Sequence, residues 1–166
     1  MTRSGAMSFQ WPGGVNSQLY WHTSAPSYLA LKTVPENRVH VSPNRADAFV
    51  HSFLAFSLGR VISDDARSPG VEIGRPAGTF RRVRIKSTFG ALTVFVTDGH
   101  LPYPYGREMT GYEVDNLTET LGKAKAAGVV VLAGPYKARG RATAVVQFPG
   151  GYIAEIHSDA GDSTSK

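Results

Sequence analysis

The residues best suited to chemistry in this 166-residue chain lie near its end. In the stretch from Tyr152 to His157 (YIAEIH), strand alternation puts Ile153, Glu155 and His157 on one face and Tyr152, Ala154 and Ile156 on the other. A carboxylate inside an apolar strand is costly unless it meets a partner, a ligand or water. Two readings stay open: Glu155 faces solvent from an edge strand, or it lines a concave site.

A second group is cationic. In FRRVRIKS, alternation separates Arg82, Arg84 and Lys86 from Arg81, Val83 and Ile85. Arg139 and Arg141 sit at the start of a later strand of similar pattern. Planar guanidinium forks aimed into a cavity favour a carboxylate or phosphate, whereas the same residues on an outer sheet face are simply solvated. Tyr103, Tyr105, Tyr112, Tyr136 and Phe95 could stack on a flat ligand or serve ordinary sheet packing. The chain has no phosphate-binding glycine loop, no H-E-x-x-H and no nucleophile elbow. It has no cysteine, which excludes disulfides and thiolate metal sites and leaves redox compartment unread.

These residues must be held by local structure, and the clearest lies between Thr110 and His157. A short strand spans Gly111 to Asp115. Asn116 then fits a helix N-cap, with Glu119 completing a capping box. Leu117, Leu121 and Ala124 recur at helical spacing, Lys123 and Lys125 suit the negative end of the dipole, and Gly128 fits the left-handed stop. Strands at Val129 to Leu132, Arg141 to Phe148 and Tyr152 to His157 follow, the last two split by Pro149-Gly150-Gly151. An earlier segment has the same order. It has a strand at Arg38 to Ser42 and a helix capped by Asn44 with Asp47 in the capping-box position. Phe49, Phe53 and Phe56 share one face of that helix, which stops at Leu58-Gly59. Then come Arg60 to Ile62, a polar loop from Ser63 to Thr79, and strands at Phe80 to Lys86 and Ala91 to Val96. The repeat supports an α+β architecture of two βαβββ modules.

The stretches YEVDNLTETLGKAKAAG and GRATAVVQFPGGYIAEIH, together with FLAFSLG in the earlier module, resemble the vicinal-oxygen-chelate superfamily of glyoxalase, bleomycin-resistance and extradiol-dioxygenase proteins. The resemblance implies paired four-stranded mixed sheets, facing one another or exchanged across a homodimer. It divides the chain into an N-terminal extension (1–36), a glyoxalase-like domain (37–158, modules 37–97 and 108–158) and a tail (159–166). In metal-dependent members, ligands come from the first and last strands of each module. Carried over, this assigns Glu155 and His40, with His157 as a substitute ligand and His100 as a further candidate from the linker. The other two positions fall on Met109 and Val94, which do not suit a metal. The resemblance therefore implies a small-molecule-binding protein with an incomplete metal site. Its ligand would be anionic or aromatic, contacted by Arg82, Arg84, Tyr112 and Arg141. The alternative it leaves is a lyase, isomerase or dioxygenase using Fe, Mn, Ni or Zn at Glu155 and His40, with Glu155 as proton acceptor.

Bulk properties exclude little else. With 42% hydrophobic and 19% charged residues, the composition is that of an ordinary globular domain. A net charge of +5 invites nucleic acid, but the basic residues are dispersed and no nucleic-acid-binding motif accompanies them. The polar, glycine-broken N-terminus lacks a signal core and no run is long enough to span a bilayer, so a cytoplasmic location without membrane association is expected. Before Arg38, short strands are expected at Gln18 to Trp21 and Tyr28 to Lys32. Trp11 and Trp21 argue that this region packs against something. His22 has no evident partner.

Overall fold

The computed structural model describes residues 4–22, 34–88, 90–106, 109–138 and 140–159. Its first module comprises β3 (Val34–Val41), α1 (Ala46–Ser57), β4 (Arg60–Pro69), β5 (Thr79–Ser87) and β6 (Gly90–Val96). The second comprises β7 (Met109–Glu113), α2 (Leu117–Ala126), β8 (Val130–Ala138), β9 (Arg141–Gln147) and β10 (Ile153–Asp159). These follow a hairpin of β1 (Ser4–Gln10) and β2 (Asn16–His22). The expected strand at Tyr28 to Lys32, Arg139 and residues 160–166 of the tail lie outside the described residues.

The second helix forms for the local reasons its sequence suggests. Asn116 Oδ1 accepts from the Glu119 amide at 3.1 Å, and Gly128 takes the left-handed conformation at φ 81°. Its apolar stripe, Leu117, Leu121 and Ala124, packs on Val129, Ala144, Val146 and Ile156. The first helix starts differently. Arg45 is its N-cap without a side-chain bond, Asn44 accepts from Ser42 Oγ, and Asp47 is drawn outward to Arg81 Nη1 at 2.7 Å. Arg81 also forks onto Asp64 at 2.8 and 2.9 Å, so the first helix is held from the sheet rather than by its own cap. The left-handed stop falls on Leu58, at φ 50°, one residue before the expected glycine.

The polar segment expected as a loop from Ser63 to Thr79 forms most of β4, followed by a 3-10 helix at Gly70–Ile73. An exposed edge strand needs no apolar alternation, and its backbone bonds to β5 suffice to order it.

The strand order β4-β5-β6-β3-β7-β10-β9-β8 makes one curled mixed sheet, two four-stranded halves joined edge to edge. Within each half the first and last strands run parallel, β3 with β6 and β7 with β10. The halves meet where β3 and β7 pair antiparallel, Glu36 opposite Gly111, Asn37 opposite Thr110 and Arg38 opposite Met109. Both helices cover the same face. Val39, Val41, Val83, Ile85, Leu92 and Val94 meet the first helix there. Trp11 extends this core, with ring centroids 5.2 to 6.1 Å from Phe49, Phe53 and Phe56, so the hairpin is docked on the first helix. The opposite, concave face is crossed by the linker between modules, whose Leu101 and Tyr105 pack with Met109, Val145 and Ile153. Leu101 also meets Ile73, Phe80 and Phe95.

Candidate functional site

On β3, the residues alternating with Val39 and Val41 are Glu36, Arg38 and His40, and these face the concave side. Glu155 and His157 reach the same side from β10, Arg141 and Thr143 from β9, and Thr93 from β6. Glu36, Glu155 and His157 are 5%, 3% and 1% exposed, so the strand-end carboxylate lines the sheet interior rather than solvent. They converge where the modules join. Gly111 leaves the necessary space: a Cβ there would lie 2.9 Å from Glu155 Oε2 and 3.3 Å from Glu36 Cβ.

The two carboxylates share one guanidinium nitrogen. Arg141 Nη2 donates to Glu36 Oε2 at 3.0 Å and to Glu155 Oε2 and Oε1 at 3.2 and 3.3 Å. Arg38 Nη1 lies 3.8 Å from Glu155 Oε2 and donates to Met109 Sδ, while its guanidinium carbon sits 4.2 Å from the Phe95 ring centre. Thr93 and Thr143 donate to Glu36 and Glu155. His157 lies between the carboxylates, Nε2 at 3.3 Å from Glu36 Oε2 and Nδ1 at 3.2 Å from Glu155 Oε2. Nδ1 is at hydrogen-bonding distance yet has no hydrogen-bond geometry with any partner.

Burial alone would raise the Glu155 carboxyl, but Arg38, His157 and Arg141 outweigh it and hold it well below the usual range. For Glu36, burial and the neighbouring Glu155 push upward, and Arg141, His157 and Thr93 prevail to lower it. Both groups are carboxylates at neutral pH. Burial, then Tyr105, pushes the nearby Tyr136 hydroxyl strongly upward, so it stays protonated and can donate.

Glu155 and His157 thus come together as a pair, and Arg141 joins them. His40 does not enter the Glu36/Glu155/His157 group; it is half-buried against Phe95, centroids 5.6 Å apart. His100 is exposed, its amide bonded to Asp98, although the linker around it does fold over the concave face. Arg82 faces that side but pairs with Glu72 of the 3-10 helix. Arg84 is half-buried beside Thr93 in the sheet register. Tyr112 points to the other face from Gly111, its hydroxyl 3.2 Å from that of Tyr152.

Glu36, Arg38, Thr93 and Thr143 carry no signal in the sequence motifs above. A first strand that starts at Arg38 leaves Glu36 in the N-terminal extension; the His40-Arg38 alternation, continued back two residues, places Glu36 on the same face. A dyad through the central Asn37–Thr110 pair relates Glu36 to Met109 and Arg38 to Gly111. Since Arg38 registers with Thr93 and Gly111 with Glu155, the same dyad relates Thr93, not Val94, to Glu155. Val94 instead belongs to the core under the first helix.

The donor types of Glu36, Glu155 and His157 suit a divalent cation, and their ligand atoms lie within 4.8 Å of one another. Arg141, however, already supplies the cation these oxygens need. Two carboxylates face two guanidiniums, and a further two charges would have to be buried uncompensated. As folded, the cluster does not fit a metal.

No protein-family model matches the sequence, and no curated protein matches it. Solved structures do share the fold. A hypothetical protein from Bacillus halodurans C-125 aligns with TM-score 0.56 at 14% identity, covering 80% of this chain and 97% of its own. An uncharacterized protein from Methanosarcina mazei aligns with TM-score 0.51 at 13% identity, covering 80% and 98%. A glyoxalase family protein from Bacillus cereus aligns with TM-score 0.34 at 12% identity, covering 82% and 100%. The first two share this chain's fold of two paired βαβββ modules, which here follows an N-terminal hairpin.

Proposed function

We propose that this protein binds an anionic small molecule on the concave face of its sheet, without a metal. The observation that carries the reading is a cationic patch on three adjacent strands. One cross-strand row is Arg84, Thr93 and Arg38; the next is Arg82, Phe95 and His40. Glu72 offsets Arg82, and Arg38 is turned toward Glu155. Arg84 and His40, both half-buried, lie in these same rows and add a guanidinium and an imidazole to the concave face, next to the buried Phe80 and Phe95. A carboxylate or phosphate suits such a cationic patch.

The second reading, a metal-dependent lyase, isomerase or dioxygenase, draws on Glu36, Glu155 and His157. Arg141 stands against it, because its nitrogen occupies the shared oxygens.

Thermal melting with benzoate, phenyl phosphate or inorganic phosphate tests the first reading. A saturating ligand at about a hundred times its Kd should raise Tm by ~5–10 °C for a chain of this size. The rise should vanish in Arg84→Gln and persist in Lys86→Gln, whose side chain is exposed. An equal rise with neutral benzamide, or one unaffected by Arg84→Gln, refutes the site.

A further inference from the structure

We infer that Arg141 is a built-in cation standing where a divalent metal would bridge Glu36 and Glu155, and that removing it converts the cluster into a metal site. The inference rests on the metal-free reading above and goes beyond it.

Three observations support it. First, a single nitrogen, Arg141 Nη2, contacts both carboxylates, at 3.0 Å on one and 3.2 and 3.3 Å on the other. That is the position of a bridging ion. Second, His157 is buried and wedged between the same two carboxylates, Nε2 at 3.3 Å from Glu36 Oε2 and Nδ1 at 3.2 Å from Glu155 Oε2. A buried imidazole beside two carboxylates completes a nitrogen-and-oxygen donor set of the kind taken by cobalt, zinc, nickel or manganese. Third, the arginine arrives from β9, whereas the donors lie on β3 and β10. Truncating Arg141 therefore removes none of the three donors.

Charge explains the exclusion. With Arg38 and Arg141 present, the two glutamates are neutralised and a divalent ion would leave the buried cluster at +2. Without Arg141 the cluster carries −1, which attracts a cation.

The test is Co(II) titration of the full chain, followed by visible absorption and equilibrium dialysis. Wild type should take up none, and Arg141→Ala about one equivalent with ligand-field bands, lost again when His157→Ala is added. Co(II) bound by wild type and lost in Glu155→Gln overturns both this inference and the metal-free reading. A folded Arg141→Ala that stays metal-free overturns the inference alone. A failed ligand screen with these Co(II) results intact would overturn only the anion-binding reading. If Arg141→Ala does not fold, Arg141→Met keeps the side-chain volume. If neither folds, refolding in Co(II) decides: recovery supports the inference and no recovery refutes it.

Discussion

At the scale of single residues, the junction of the modules is a closed electrostatic unit. Removing one member leaves its partners buried and unmatched, so Glu155→Gln should cost about 3–5 kcal/mol in urea unfolding. A loss below 1 kcal/mol would mean that water reaches the cluster. The pH dependence follows from the same contacts. Both glutamates have folded-state pKa values below their unfolded ones, so their stabilisation is present above the unfolded carboxyl range, near ~4.3, and is lost as pH falls through and below it. Melting temperature should therefore hold from neutral pH to about 5 and then drop, and Glu155→Gln should flatten that drop. Glu155 and His157 were legible as a pair because strand alternation is local. Arg38 is not, since its strand lies far from β10 in the chain, and Arg141, on the neighbouring β9, is legible only as a possible ligand contact.

At the scale of elements, the two helices show what local rules decide. The second helix is capped and stopped by its own residues, and its boundaries followed from them. The first is held by the Arg81 contacts, and its stop falls on Leu58, which is 85% exposed and so contributes little packing. Leu58→Gly should relieve a left-handed leucine and raise stability by about 0.5–1 kcal/mol, the gain net of glycine's added unfolded-state entropy. Chemical denaturation measures this, and a loss would place the conformational strain elsewhere. The N-terminal hairpin has the opposite dependence. Two strands alone are marginal in water, and this pair is anchored by Trp11 against three phenylalanines. Trp11→Ala should abolish amide-exchange protection in residues 4–22 and leave the eight-stranded sheet protected. Equal loss in both would show that the hairpin is integral to the core.

At the scale of the whole molecule, the two halves of the sheet meet through the short β3–β7 ladder and the charge cluster above it. Arg141 and Glu155 from the second module grip Glu36 and Arg38 from the first. The cluster thus joins the modules at the place where the resemblance expected metal ligands. Chelator treatment followed by dialysis should leave Tm unchanged; a fall reversed by one divalent metal would contradict the role assigned to Arg141. Among the described residues, no helix is long and apolar enough to cross a membrane.

The sequence by itself determined the order of elements within the two βαβββ modules, the repeat they form, and that Glu155 and His157 share one strand face. Each depends on neighbours within a few residues: helical spacing, caps, turns and alternation. Tertiary structure alone decided that β3 pairs with β7, which brings Glu36 to Glu155, and that Arg141 lies between them. It also ordered β4, a polar edge strand whose stability comes from bonds to β5 and not from any pattern of its own. Alternation fixes which side of a strand a residue faces; only strand pairing fixes which residues it meets.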